Sequence, residues 1–356
     1  MRVAVAGAGA FGRNHLRVYR ELETAGLGVA LVAAVEPDAA RAAETAEKYS
    51  IPVFATVGEL LTADLRLDAA SVAVPTVGHH AVASALLDAG LDLLVEKPLA
   101  ATLAEADELV ALAERKGRIL QPGHLERFNP AVLAVEPKLR RPMFFEAHRL
   151  SVFTPRSLDV DVVLDLMIHD LDIVLTFARS PVREVRAVGL PIVSPKVDIA
   201  NVRVEFESGC VANFTASRVS TERVRKLRFF EPRQYVSIDY ARQDLLVIRL
   251  EGNVPAELAA ALAAGKLDAA ALAKLAAARA GAGPAPGLSL AKPEVTPGEP
   301  LRLEIESFLE AVRTRREPRV TARQGRDALA LALEIQAAMA AHAERAGLKD
   351  FFESGS

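Results

Sequence analysis

Three groups of residues in this sequence combine types and spacings that could do chemistry. Gly7-Ala8-Gly9-Ala10-Phe11-Gly12 is a G-x-G-x-x-G run that follows the strand-like Val3 to Ala6 and opens a helical stretch. Glycines at those positions permit a tight turn and close backbone approach to a pyrophosphate, while the helix N-terminus offers free N–H groups to the anion. Glu36 ends the second strand-like run, Val32-Ala33-Ala34-Val35, where a carboxylate can accept hydrogen bonds from adenosine ribose hydroxyls and would repel a 2′-phosphate. NAD is therefore expected over NADP. Pro37 stands where a phosphate-binding arginine could sit, and Arg41 one turn on is the feature that speaks for NADP. Val95-Glu96-Lys97-Pro98 places a lysine at the carboxyl end of a strand, the edge where open α/β sheets bind ligands. Asp165 and His169 are four residues apart on a predicted helix, so the carboxylate can steer the imidazole and His169 can act as a base.

The elements that must position these groups fall into two rhythms. Up to residue 121, short β-branched runs alternate with amphipathic helical segments, the pattern of parallel βαβ units. Strands are predicted at Val3 to Ala6, Val29 to Val35, Ala70 to Val74, Leu91 to Val95 and Arg118 to Gln121. Helices are predicted at Phe11 to Thr24, Asp38 to Lys48, His79 to Ala89 and Leu103 to Lys116. A doubly wound parallel sheet, an α/β Rossmann domain over residues 1–122, follows. Beyond Pro122 come a polar loop, a strand near Met143 to Leu150, a helix over Val162 to Ala178, then strands in succession from Val185 to Arg249 separated by turn signals such as Ser208-Gly209 and Glu231-Pro232. That order predicts an α+β C-terminal domain over 123–321 with a large, mainly antiparallel sheet, whose open face could serve a homodimer or homotetramer. An Ala-rich insert at 253–298 offers little large apolar surface and is read as an excursion without chemistry. Helices near Leu301 to Thr314 and Gln324 to Arg345 close the chain, and the last, in 322–350, is expected to brace the first domain.

Composition bounds the function. Of 356 residues, 51% are hydrophobic and 25% charged, ample for a packed core of two domains. The formal net charge of −3 lacks the basic excess that would draw nucleic acid or an anionic membrane. The opening strand leaves no room for a signal peptide, and no apolar run reaches the roughly 18 to 20 residues that span a bilayer, so a cytoplasmic protein is expected. Cys210, the single cysteine, excludes an internal disulfide and any cysteine-based zinc site, and no metal is expected.

The glycine-rich run, Glu96-Lys97-Pro98 and Asp165-Leu166-Met167-Ile168-His169-Asp170-Leu171-Asp172, taken in this order and spacing, resemble the glucose-fructose oxidoreductase, inositol dehydrogenase and rhizopine catabolism family over about residues 1–345. The resemblance implies an enzyme in which Lys97, Asp165 and His169 converge on a sugar hydroxyl beside a nicotinamide. Lys97 would then orient the hydroxyl and stabilise the developing alkoxide while His169 takes the proton. Implied cofactor contacts are Gly7, Gly9, Ala10, Phe11, Gly12, Glu36, Pro75, His80, Glu96 and Lys97. Gly123-His124-Leu125-Glu126-Arg127-Phe128-Asn129-Pro130 and the run from Asp161 to His169 are similar to the branch that oxidises C3 of UDP-N-acetylglucosamine to a ketone. His124, Arg127, Asn129 and Arg149 are thereby candidate donors to a diphosphate or to sugar hydroxyls, alongside Lys97, Asp165 and His169. Asp172 continues the helical face and would hold the site or the sugar. An inositol or simple hexose dehydrogenase is the alternative enzyme, and a non-catalytic NAD-binding sensor the alternative class. Many members carry glycine where Met167 stands, and a Gly-rich lead-in where this chain has Asp159-Val160-Asp161-Val162-Val163, so the substrate pocket is expected to differ.

Overall fold

A computed structural model describes residues 1–154, 160–250 and 288–348. Most of the Ala-rich insert, with the first residue of the Asp159 lead-in, lies outside these.

The first unit begins with β1 (Arg2–Ala6), whose last four residues are buried, and α1 (Gly12–Thr24). It continues through β2 (Ala30–Val35), α2 (Ala39–Tyr49), β3 (Val53–Phe54), α3 (Val57–Thr62), β4 (Ala69–Val72), α4 (His79–Asp88), β5 (Asp92–Glu96), α5 (Leu103–Lys116) and β6 (Leu120–Gly123). The six strands run parallel in the order β3-β2-β1-β4-β5-β6, so the chain reverses its direction of winding beside β1. Helices α2, α3 and α5 start where a side chain supplies an acceptor for a free N–H group. Asp38 caps α2, and Thr102 with Glu105 forms a capping box on α5. Strand β3 and helix α3 were not predicted, because a two-residue strand and a six-residue helix carry too little periodicity to be seen.

The second unit runs through α6 (Pro130–Val135), β7 (Phe144–Leu150), α7 (Ile168–Ala178), β8 (Val182–Leu190), β9 (Ile199–Phe206), β10 (Val211–Ser217), β11 (Val224–Glu231), β12 (Gln234–Asp239), β13 (Asp244–Leu250) and β14 (Leu288–Ala291). Its sheet has the order β14-β13-β12-β11-β7-β10-β9-β8, antiparallel throughout except where β7 and β10 run parallel. The predicted helix over 162–178 is not uniform: Val163–Met167 forms a π-helical turn, and regular α-helix begins only at Ile168.

Two further helices, α8 (Pro300–Thr314) and α9 (Ala322–Arg345), join the units. Leu301, Ile305, Phe308, Leu309 and Val312 of α8 complete the cluster built on Val3, Val5, Leu16 and Tyr19. On α9, Leu329 enters the core between the first sheet and α4 and α5, while Ala328, Leu331, Ala332, Ile335 and Met339 pack under the second sheet with Phe177 and Phe229. The expectation that the last helix braces the first unit is thus half the arrangement, since α8 packs more deeply there. On the open face of the second sheet, Phe144 stacks on Phe230 with ring centroids 5.5 Å apart, and Phe230 meets Tyr235 at 5.1 Å. No helix among the described residues is long and apolar enough to cross a membrane.

Ile335 is fully buried in the larger core. Ile335→Ala should lower stability by about 2–5 kcal/mol in chemical denaturation, the cost of a buried aliphatic truncation. Arg326→Ala, which removes the surface pairs with Asp107 at 2.7 Å and Asp327 at 3.4 Å, should cost less than about 1 kcal/mol.

Candidate active site

The carboxyl ends of β1, β2, β4 and β5 carry the first half of the site. Gly7 adopts φ +94, and a side chain on Gly12 would meet the Gly7 carbonyl oxygen at 1.9 Å, so the turn closes only with glycine at both positions. A Cβ added at Gly9 would meet nothing within 4 Å, so this residue borders open space above the N-terminus of α1. That is the cradle a pyrophosphate requires, and the residues present fit a dinucleotide. Glu36 accepts from Ala8 N at 3.0 Å, Asp38 N at 3.0 Å and Arg41 Nη2 at 2.8 Å. Burial alone would raise its carboxyl, but these bonds outweigh it and hold Glu36 below the usual carboxylate range. Arg41, the residue that spoke for NADP, is thereby engaged with Glu36. Ala10, Phe11 and Pro75 lie exposed around the same opening.

His80 and Glu96, both expected at the cofactor, are occupied elsewhere. His80 Nε2 pairs with Glu108 of α5 at 2.9 Å. Its neighbour His79 is the buried one, with Nδ1 2.8 Å from the Pro98 carbonyl oxygen and Nε2 3.0 Å from that of Val74. It ties the loop after β4 to the cis Lys97-Pro98 bond. Burial lowers the His79 pKa, so the ring is neutral and donates to one of the two carbonyls at a time. Glu96 accepts from His15 Nε2 at 2.8 Å, and His15 Nδ1 lies 3.1 Å from Ser71 Oγ, which Tyr19 OH approaches at 2.8 Å. The Glu96 carboxylate thus belongs to a polar chain inside the first unit.

Lys97 turns the other way. Its Nζ donates to the Asp165 carbonyl oxygen at 2.7 Å and to that of Leu164 at 3.4 Å, and lies 3.7 Å from Asp165 Oδ1. The π turn makes this possible: its i→i+5 bonding disturbs the α-helical ladder there and leaves carbonyls free to accept from an ammonium. Burial pulls Lys97 below the ordinary lysine range, against the opposing effect of Asp165 and then Glu96. The Asp165 carboxylate, expected to steer the imidazole of His169, is directed to Lys97 in the structure. Among the described residues the buried His169 Nδ1 has no hydrogen-bond partner. His169 is half-buried, and its pKa is held well below the ordinary histidine value, by burial first and then by the charges of Lys97 and Arg149. Lys97 and Asp165 are in contact, and the charge of Lys97 acts on His169 and helps keep its imidazole neutral.

The four further substrate-contact candidates turn inward. Arg149 is 3% exposed and grips Asp170 in two-pronged fashion, at 2.7 and 3.2 Å, with Glu126 at 3.1 Å. Asn129 caps α6 through Ala131 N and donates to Glu126 Oε2 and to the Tyr240 carbonyl oxygen. Arg127 pairs with Asp172 at 3.5 Å rather than with adjacent Glu126, and it also binds Thr176 and the Arg319 carbonyl oxygen. His124 is buried with both ring nitrogens unpartnered among the described residues, and burial lowers its pKa. These residues fix the loop after β6 to α7 and β7. Donors reaching out of a tight loop cannot be told in sequence from donors folded beneath it.

Sequence reasoning also missed Glu304. It is fully buried on α8, and among the described residues both carboxyl oxygens lack a hydrogen-bond partner. Desolvation, then the charges of Glu96 and Asp172, push its pKa well above the usual value. The signal was present: Glu304 lies three residues from Leu301 and four from Phe308, on the apolar stripe of its helix.

Comparison with known proteins places these features. Residues 1–124 match the model of an oxidoreductase family with an NAD-binding Rossmann fold, and residues 132–233 match a GFO/IDH/MocA C-terminal domain. The chain is 33% identical to UDP-N-acetylglucosamine 3-dehydrogenase of Acidithiobacillus ferrooxidans, across 97% of this chain and 99% of the relative. A solved structure of that enzyme superposes with a TM-score of 0.81 at 32% identity, covering 96% of this chain and 98% of the other. An inositol 2-dehydrogenase of Acidothermus cellulolyticus is 31% identical, over 53% of this chain and 56% of its own.

A buried acid kept protonated makes folding release stability as pH rises. The contribution of Glu304 is complete below the unfolded-state value near 4.5 and is lost as pH climbs toward the raised folded value. Glu304→Gln should therefore be more stable than the parent at pH 8, with the advantage shrinking as pH falls toward 5 in denaturant titrations. An advantage that ignores pH would show that the acid is not protonated in the fold.

Proposed function

Because this chain belongs to the GFO/IDH/MocA oxidoreductase family, whose first domain is an NAD-binding Rossmann fold, we propose that it oxidises a secondary hydroxyl of a sugar to a ketone, and specifically the C3 hydroxyl of UDP-N-acetylglucosamine. The observation that carries the reading is the contact of Lys97 from the first sheet with the Asp165 turn of the second unit, the turn that leads into the helix bearing His169. The substrate assignment rests on likeness to the Acidithiobacillus ferrooxidans enzyme over nearly the whole chain. Inositol or a simple hexose is the second reading, favoured by the partial likeness to inositol 2-dehydrogenases.

Oxidation removes a proton from the hydroxyl oxygen and a hydride from its carbon. Bound NAD supplies the hydride acceptor, held by the Gly7–Gly12 turn and by Glu36. His169, neutral because it is buried among cations, is ready to take the proton. Lys97 sets its ammonium toward the oxygen that gathers negative charge, and Asp165 keeps that ammonium in place through its carbonyl and carboxylate. Below the sheet, Arg149 and Arg127 hold α7 and so the direction of the imidazole, which recasts their role from ligand contact to support. The aromatic row Phe144, Phe230 and Tyr235 on the open sheet face supports a homodimer or homotetramer, for which a two- or fourfold chain mass in light scattering is the check.

With UDP-N-acetylglucosamine, inositol and glucose offered in parallel, NADH should form with the nucleotide sugar. His169→Asn should abolish that formation while NAD binding persists. The acidic limb of kcat/KM should lie below pH 6.5, because the His169 pKa is lowered from that ordinary value. Turnover of inositol alone would transfer the assignment to the second reading, and near-normal turnover by His169→Asn would remove the base.

A further inference from the structure

Two arginines face each other across neighbouring strands beside His169, and they differ in one respect. Arg225 of β11 is the register partner of Arg149 of β7. Directly opposed residues of an antiparallel pair project to the same side. On β11 that side also carries Leu227 and Phe229, buried in the core beneath α7. Arg225 therefore stands at the end of the inner row, on the side of the sheet covered by the helix that bears His169, and its charge is among those that act on the imidazole.

Arg149 is satisfied by Asp170 and Glu126. Arg225 is not: it is half-buried, its Nε is buried without a hydrogen-bond partner, and it makes no ion pair among the described residues. A guanidinium withdrawn from water with no counter-ion is costly unless an anion arrives to meet it. Lys97 is held by the Asp165 turn and assigned to the reacting hydroxyl, and Arg149 is spent on two acids, so neither is left for a phosphate. Burial and then the charge of Arg149 bear on Arg225 first; Glu126 and Asp170 act the other way but are bonded to Arg149, and exposed Arg223, two residues earlier, adds a further cation to the same edge.

We infer that Arg225 binds the diphosphate of a nucleotide-sugar substrate, taking two phosphate oxygens on its planar fork and so placing the attached sugar against His169. Arginine suits this geometry, because its parallel N–H groups match two oxygens of a phosphate at once. The glycine-rich turn on the first sheet remains the pyrophosphate site of the dinucleotide, so the two anions have separate cradles. The inference rests on the proposed nucleotide-sugar reading and adds to it the residue that would separate such a substrate from a free sugar.

The experiment measures UDP binding by calorimetry to the enzyme with NADH present, and KM and kcat for UDP-N-acetylglucosamine, in the parent, Arg225→Gln and Arg225→Lys. Arg225→Gln should weaken UDP binding and raise KM by about tenfold or more, with kcat and NADH affinity changing far less, as expected for loss of one charge-assisted contact. Arg225→Lys keeps the charge without the fork and should fall between. If Arg225→Gln does not fold, the lysine variant alone decides, since unchanged UDP affinity in it overturns the bidentate contact. Parent-like UDP binding in Arg225→Gln overturns the inference while leaving oxidation of the nucleotide sugar intact. UDP binding that depends on Arg225 in an enzyme that oxidises no nucleotide sugar supports the anion site and removes the proposed reaction. No UDP binding by the parent overturns the inference, whatever free sugar is turned over.

Discussion

The contact between Lys97 Nζ and the carbonyl of Asp165 joins the two halves of this molecule at the one place where chemistry is proposed. It needs three things at once. Strand β5 must end with its lysine directed out of the sheet. The helix leading to His169 must expose a carbonyl that an unbroken α-helix would have bonded to its own N–H. The two units must then be locked at a fixed separation, which α8 and α9 do by burying residues of one in the cores of both. A shift of an ångström in any of these would part the ammonium from the turn and weaken the orientation on which proximity effects depend.

Around that contact the protein buries an unusual amount of polarity. Glu96, His15, Ser71 and Tyr19 satisfy one another in a chain under the first sheet. Glu126, Arg149 and Asp170 do the same between the loop after β6, β7 and α7, with the Tyr240 ring against the guanidinium at 5.3 Å. Such networks are weak sources of stability, because desolvation offsets most of the attraction, but breaking one member leaves a buried charge uncompensated. Their positions fit a role in rigidity: each one ends at a residue next to Lys97 or His169. A neutral imidazole and a lysine of lowered pKa are consequences of the same burial.

How much of this was legible in the sequence differs with the kind of signal. The glycine turn, Glu36 at the end of β2, Lys97 at the end of β5 and the order of elements each follow from local chemistry: which residues tolerate a φ of +94, which strands alternate with helices, which positions cap. Local rules of that kind act over a few residues, so a sequence displays them. The glutamate on the apolar stripe of α8 was equally visible, and only the habit of reading charged residues as solvated hid it.

What the sequence determined by itself, then, was the fold class and the dinucleotide cradle; it also picked out the lysine, aspartate and histidine for which roles are proposed. Only the tertiary structure decided which donors face the cleft. Arg127, Asn129 and Arg149 have the chemistry of ligand contacts and are consumed by acids and carbonyls brought from elsewhere in the chain, while Arg225, unremarked in sequence, has no ion pair among the described residues and a buried Nε without a hydrogen-bond partner there. Whether a charge is free or spent depends on what lies across a sheet or under a helix. That pairing is a sum over contacts distant in sequence, and the residue's own neighbours do not contain it.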